Sequence, residues 1–343
     1  MKKSLAILFS GLMVVALAGC GGQNAKPQGA VSQKVMTAPS KQDFQPVTEV
    51  KEGRKNVYAI VKAMRGNYWQ DIIKGMKDGG NAANVNVYVG GVFKDGNWEM
   101  QRDMAKELAN KKVDAVILGV SDSNNMTATA KALREKKLPV VLVDTALNSK
   151  DYDAAYMTNN IDAGAKAAAK LLELMKANGV KETDQATIAL HVSNMGSRTI
   201  AERLDSAISY WNTNAPKTWK VDYNYLINYG DKEMAAKKAE EAVKNIKNLK
   251  GIISCNNSST GATVDAVIKA NRKDIAVVGF DMSKQTEAGI VNKDYKIASV
   301  VQNQYKMGFE AVKTGIAAAE GKAPAAKDVD TGIKIIDNAN YKR

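Results

Sequence analysis

One pattern occurs twice in this chain, without a gap. Residues 114–144 read DAVILGVSDSNNMTATAKALREKKLPVVLVD and residues 251–281 read GIISCNNSSTGATVDAVIKANRKDIAVVGFD, at a constant offset of 137. Each copy runs from an apolar strand through a Ser/Asn-rich loop and an amphipathic stretch to a second apolar strand that stops at an aspartate. That is a βαβ unit written twice. Two such units so far apart predict two similar α/β lobes. Each presents one carboxylate, Asp144 or Asp281, at the carboxyl end of a strand, where open α/β sheets bind ligands.

The same alternation continues along the chain. Apolar strands are expected at 56–61, 85–89, 115–118, 140–143, 186–191, 221–227, 276–280, 296–301 and 333–336, with helices between them. On the helix from 161, residues Ala165, Ala168, Leu172 and Met175 fall on one face; on the next but one, Asp231 is placed to N-cap a stripe of Ala235, Ala239, Ala242 and Ile246. Parallel sheets covered by helices on both faces are the economical arrangement. A length of 343 residues accommodates two cores. The expected organisation is an α/β chain of two Rossmann-like lobes with parallel sheets, joined by several crossing strands near 157, 302 and 332. Residues 55–157 with 303–331 form one lobe, and residues 158–302 with 332–343 the other.

The first residues are a targeting signal rather than fold. Lys2 and Lys3 precede an apolar run at 5–17 that is short for a membrane span, followed by Leu17-Ala18-Gly19-Cys20. This ending resembles the bacterial lipobox. The resemblance implies that residues 1–19 are removed and that Cys20 carries lipid, which would anchor the chain on the outer side of a membrane; an ordinary secretory signal is the other reading. Residues 20–54, poor in large apolar groups, are expected to be a flexible tether. With Cys20 lipidated, Cys255 is the one thiol left, so neither an intramolecular disulfide nor a cysteine-built zinc site is available.

The formal charge of +13 arises from 49 basic residues interspersed with 36 acidic ones. That distribution describes a solvated lysine-rich surface, not a nucleic-acid stripe. Catalytic signatures are sparse. The single histidine, His191, ends an apolar strand, and there is no paired-histidine metal motif, phosphate loop or dinucleotide fingerprint. A glycosidase carboxylate pair is left open, because sequence spacing does not fix separation. The positive signals concern recognition of a polar ligand. The loop holding Asn67, Tyr68 and Trp69 follows the first strand, and its aromatic rings can face the C–H surface of a sugar or cover the adjacent helix. Asp144 and Asp281 can each accept two donors or cap a following helix. Arg203 can fork onto ligand oxygens or pair with Glu202 or Asp205.

The order of motifs from 56 to 336 resembles the type I periplasmic solute-binding proteins of the ribose and galactose group, and the effector domains of lactose-repressor-type regulators. Tyr68-Trp69, the run at 138–144, Glu202-Arg203, Cys255-Asn256-Asn257, the run at 277–281 and Val301-Gln302 carry the resemblance. It implies that Tyr68 and Trp69 sandwich a sugar, that Asp144, Arg203, Asn256, Asp281 and Gln302 bond its hydroxyls, and that Tyr229 adds an aromatic contact. Ribose-type members have Arg where this chain has Thr145, Asn where it has Gly119 and Pro where it has Asn67, so the expected ligand is a sugar, polyol or similar compound rather than ribose by name. The resulting expectation is a monomeric, non-enzymatic, lipid-anchored binding protein. It would deliver its ligand to an ABC importer permease without cofactor, metal or nucleic acid. A sensory module for a membrane receptor or histidine kinase is the alternative.

Overall fold

A computed structural model describes residues 41–93 and 95–342. The leader, Cys20 and the beginning of the expected tether lie outside the described residues. In chain order the elements are β1 (Lys41–Pro46), β2 (Asn56–Val61), α1 (Asn67–Ala83), β3 (Asn86–Val92), α2 (Trp98–Glu107), β4 (Ala115–Leu118), α3 (Thr127–Glu135), β5 (Val140–Val143) and β6 (Ala154–Met157). They continue with α4 (Asn160–Ala177), β7 (Ala186–Val192), α5 (Arg198–Asn214), β8 (Trp219–Val221), β9 (Leu226–Ile227), α6 (Lys232–Asn245), β10 (Leu249–Ser254) and α7 (Asn257–Lys269). The last elements are β11 (Ala276–Phe280), α8 (Lys284–Val291), β12 (Ile297–Gln302), α9 (Gln304–Ala319), β13 (Asp328–Asp330) and β14 (Ile333–Asp337).

These strands form two sheets. The first has the order β1-β3-β2-β4-β5-β6-β13; the second has the order β14-β12-β11-β10-β7-β8, with β9 also on β7. Only the pairs β1–β3 and β12–β14 are antiparallel. The central strands are buried on both faces, as near-continuous Val/Ile/Ala runs require. Each sheet accordingly has an apolar cluster on either side. The chain passes between the sheets after β6, after β12 and between β13 and β14. The crossings are laced together: Thr158 Oγ1 donates to Gln302 Oε1 at 2.7 Å, Asn159 N–H to Asp330 Oδ1 at 3.0 Å, and Thr331 N–H to Met157 O at 2.8 Å.

Three expectations need correction. The tether does not extend to residue 54, because β1 hydrogen-bonds along the open edge of β3, with Lys41 opposite Val92 and Pro46 opposite Tyr88. Phe44 packs edge-on against Tyr58 at 5.2 Å, and Thr48 Oγ1 accepts the Val87 N–H. A free sheet edge supplies backbone partners that composition does not reveal. The expected strand at 221–227 is two short strands, β8 and β9. On α4 the buried stripe is Ala163, Gly164, Ala167, Ala168, Leu171, Leu174 and Met175, which leaves Ala165 and Leu172 half-buried at its border. Asp231 does cap α6, its carboxylate accepting from Met234 N–H at 2.9 Å.

Helix α9 returns to the first sheet and lies tightly on α1. A Cβ added at Gly75 would come within 2.1 Å of Tyr305 O, and one at Gly308 within 2.0 Å of Ile72 O, so backbone meets backbone there. Gly308→Ala should lower the unfolding free energy by about 1–3 kcal/mol through overpacking, measurable by urea denaturation; an unchanged midpoint would contradict this packing.

Candidate functional site

Both repeat aspartates sit one residue beyond a strand and in the same unusual backbone state. Asp144 has φ 67° and Asp281 φ 68°, the left-handed region that aspartate tolerates better than most residues. Asp144 N–H bonds to Tyr156 O on β6 at 3.0 Å, and Asp281 N–H to Val300 O on β12 at 2.9 Å. In each case the strand's ladder is completed while the carboxylate is turned off the sheet edge. Neither aspartate is an N-cap, since Ser283 caps α8 and no helix follows Asp144 until α4.

The Gly279-Phe280-Asp281 motif has a local reason. A Cβ at Gly279 would fall 2.0 Å from Thr260 Cγ2, and the space admits Thr260, whose Oγ1 accepts the Phe280 N–H at 2.9 Å. The Phe280 ring lies under the Arg203 guanidinium at 4.1 Å. Arg203 is held further by Asn160 Oδ1 (2.9 Å from Nε), Cys255 O (2.8 Å from Nη1) and Gln302 Oε1 (2.7 Å from Nη2). It pairs with neither Glu202 nor Asp205; Glu202 binds Arg198 instead, at 2.6 Å. Gln302 Oε1 also accepts from Thr158, which fixes its amide so that Nε2 donates to Asp281 Oδ1 at 2.7 Å. The Cys255 thiol is buried and pushed up to about 12 by that burial, so it packs as an inert group.

On the first sheet, Tyr68 and Trp69 lie in the opening turn of α1, both buried, with their rings edge to face at 5.6 Å. Tyr68 donates its hydroxyl to Asp144 Oδ1 at 2.5 Å. Burial, then the negative charges of Asp144 and Asp281, raise the phenol well above its usual range and keep it a donor. A Cβ at Gly119 would sit 2.8 Å from Trp69 Cη2, so the indole fills the volume that an asparagine there would need.

Sequence reasoning missed Lys62. It follows the last residue of β2 and its ammonium lies 2.7 Å from Asp144 Oδ2 and 2.8 Å from Thr145 Oγ1, nearly excluded from solvent. The available signal was a charged residue directly after the buried apolar end of a parallel strand. Lys62 supplies the cation beside Asp144, and Thr145 donates its hydroxyl to Asp144 Oδ2 at 2.6 Å. Asp95 faces the same charges, and burial raises its carboxyl. The two sheets meet here: Thr199 Oγ1 on α5 donates to Asp144 O at 3.0 Å, Ser123 N–H to Gly196 O at 3.0 Å, and Arg198 N–H to Ser123 Oγ at 3.0 Å.

Of the expected residues, Tyr68, Trp69, Asp144, Arg203, Asp281 and Gln302 converge in this buried cluster. Asn256 is half-buried beside it, its neighbour's carbonyl bonded to Arg203. Asn67 is exposed on the first turn of α1, and Tyr229 is 54% exposed at φ 52° on a loop. Neither joins the cluster, because helix phase turns Asn67 outward and the left-handed backbone turns Tyr229 to solvent.

The two aspartates are electrostatically unequal. Burial raises the Asp144 carboxyl, but Lys62, by charge and hydrogen bond, brings it below its ordinary value with help from Thr145 and Tyr68. Asp281 is raised from 3.8 to about 6, burial outweighing Arg203 and Gln302. Among the described residues its carboxylate has one side-chain donor, Gln302. The folded protein holds the Asp281 proton more tightly than the unfolded chain, so its contribution to stability is complete below pH 3.8, declines as pH rises to about 6 and stays lost above. The Asp144 contribution has the opposite sign, present above its unfolded value and lost as acid protonates it. Asp281→Asn should therefore stabilise the ligand-free protein at pH 8, by on the order of 2–3 kcal/mol, and much less at pH 4. Asp144→Asn should destabilise it by about 3 kcal/mol at pH 8. Urea melts at the two pH values read both effects; equal shifts for the two variants would contradict the asymmetry.

Comparison with known proteins bears on this arrangement. The family model described as "Periplasmic binding protein domain" matches residues 57–323. The D-allose-binding periplasmic protein of Escherichia coli (strain K12) is 22% identical over 302 residues, spanning 80% of this chain and 90% of that protein. The ribose import binding protein of Bacillus subtilis (strain 168) is 22% identical over 278 residues, spanning 79% and 84%. A solved carbohydrate transporter solute binding protein from Agrobacterium radiobacter, in complex with D-arabinose, superposes with a TM-score of 0.77 at 21% identity, over 84% of this chain and 96% of that one. Two mostly parallel sheets, repeated strand-end aspartates and a match across most of the described chain agree: this chain belongs to the periplasmic binding protein family.

Proposed function

We propose that this chain captures a sugar or sugar-like polar ligand outside the cytoplasm and delivers it to an ABC importer permease, without chemical turnover. The observation that carries the reading is the meeting of Asp144 and Asp281, from matching strand ends of two separate sheets, in one buried cluster with Arg203, Lys62, Tyr68 and Trp69. Carboxylates accept from hydroxyls, Arg203 and Lys62 donate to hydroxyl and ring oxygens, and the indole offers an apolar face to C–H groups. Relatives support the class: one is named for D-allose, another for ribose import, and solved neighbours hold D-arabinose and D-fucose.

The sheets serve as cores of two lobes, residues 55–157 with 303–331 and residues 158–302 with 332–343, which part and close about the three crossings. Ligand bridging Asp281 to Asp144 makes contacts available only when the lobes are together, and so shifts the population to the closed form. Asn256 lends an amide donor, while Asn67 and Tyr229 act at the rim. The chain works as a monomer, held at the membrane by lipid on Cys20.

In a thermal-shift and calorimetry screen of monosaccharides and polyols, at least one compound should raise the melting temperature of the wild type by mass action. Trp69→Ala and Asp281→Ala should each weaken its binding at least about tenfold. Unchanged affinity in both variants would place the ligand elsewhere, and conversion of the sugar during incubation would reveal an enzyme.

A further inference from the structure

His191 is buried near the end of β7, its ring bonds to Asn228 and Thr263, and it is the chain's only histidine. Its surroundings fix its proton. Gly230 N–H donates to Asn228 Oδ1 at 2.9 Å, which turns Asn228 Nδ2 toward both His191 Nε2 at 3.0 Å and Ser259 Oγ at 2.7 Å. An amide nitrogen only donates, so Nε2 must be the bare acceptor and Nδ1 must carry the hydrogen, given to Thr263 Oγ1 at 3.0 Å. A second ring proton would point at the amide hydrogens; burial pushes the imidazole down to about 4, in keeping with a neutral ring.

The chain of bonds continues in two directions. Ser259 Oγ, having accepted from Asn228, donates to Asn256 Oδ1 at 2.5 Å, while Asn256 Nδ2 donates to Ser258 Oγ at 2.8 Å. The Asn256 amide is thereby oriented, and among the described residues one of its Nδ2 hydrogens is uncommitted. In the other direction, Asn228 holds the loop at Tyr229 and Gly230, both left-handed. A Cβ at Gly230 would stand 2.9 Å from Asp95 Cβ, so this loop meets an element of the first sheet.

We propose that His191 is a positioning residue for ligand capture. As a neutral Nδ1-protonated acceptor, it holds through Asn228 both the donor face of Asn256 and the rim loop that meets Asp95. The proposal rests on the reading of Asn256 as a ligand residue. His191→Phe keeps the ring volume and removes the acceptor, leaving an amide hydrogen of Asn228 unpaired. His191→Gln can return an acceptor oxygen.

Two measurements test it. In ligand-free protein, long-range 15N–1H spectra of the single imidazole should show the Nδ1–H form, unchanged from pH 8 to 5; an Nε2–H form, or titration within that range, overturns the proposal whatever the ligand. For binding, D-allose, ribose, D-arabinose and D-fucose are titrated calorimetrically and the tightest is used. Asn256→Ala, His191→Phe and Ser259→Ala should each weaken it about tenfold, and His191→Gln should stay within about threefold of wild type. Ser259→Ala keeps the test open should His191→Phe fail to fold. Loss with Asn256→Ala but not with His191→Phe or Ser259→Ala overturns the positioning role. No loss with Asn256→Ala removes the ligand reading of that residue and the proposal with it. Should none of the four sugars bind, the compound that raises the melting temperature most in the wider screen takes their place; binding by no compound of that screen overturns the capture reading and this proposal with it.

Discussion

Two carboxylates buried at the ends of parallel strands are the constraint on which this structure depends. A buried carboxylate must be met by donors or cations, or take up a proton. Asp144 is satisfied by residues on its own sheet's side, since Lys62, Thr145 and Tyr68 all converge on it. The second leaves it half solved, with Gln302 as the side-chain donor to Asp281 and Arg203 one step behind. The two strand ends are alike in backbone and different in charge. Asp281 is the acceptor with capacity to spare, and a ligand rich in hydroxyl donors suits it.

The fold's close approaches serve this cluster. Gly279 admits Thr260 beneath the strand end and sets Phe280 under Arg203. Gly164 lets α4 close on α5, where an added Cβ would fall 2.3 Å from Arg203 O. The chain crossings bring Thr158 and Gln302 together at the same place, so the segments that join the sheets also orient the side chains between them. The crossings and the buried cluster therefore share side chains, and substitutions in one should be felt in the other.

Much of this was legible in the sequence because it rests on local pattern. Apolar runs of strand length, the exact offset of the repeat and the capping residue Asp231 are signals within a few residues of the elements they specify. The convergence of Asp144, Arg203, Asp281 and Gln302 was legible through motif order. What escaped depends on distant partners. Strand β1 is specified by the unsatisfied edge of β3, not by its own composition. Lys62 becomes the counter-ion of Asp144 only because β2 ends near β5, which no spacing reports. The bonds of His191 to Asn228 and Thr263 join segments far apart in the chain, which its position at a strand end does not reveal. Asn67 and Tyr229 lie at the exposed edge of the cluster, where helix phase and a left-handed turn, not motif order, decide orientation.

The most direct test of a ligand clasped between two sheets is a crystal structure of the protein with a bound sugar. Ligand density is expected against the Trp69 indole, with hydroxyls bonded to Asp281 and Arg203 from one sheet and to Asp144 or Lys62 from the other. Sugar bound solely on one sheet's outer surface, such as the groove lined by Trp211, Pro216 and Tyr223, with the charged cluster unchanged, would contradict it.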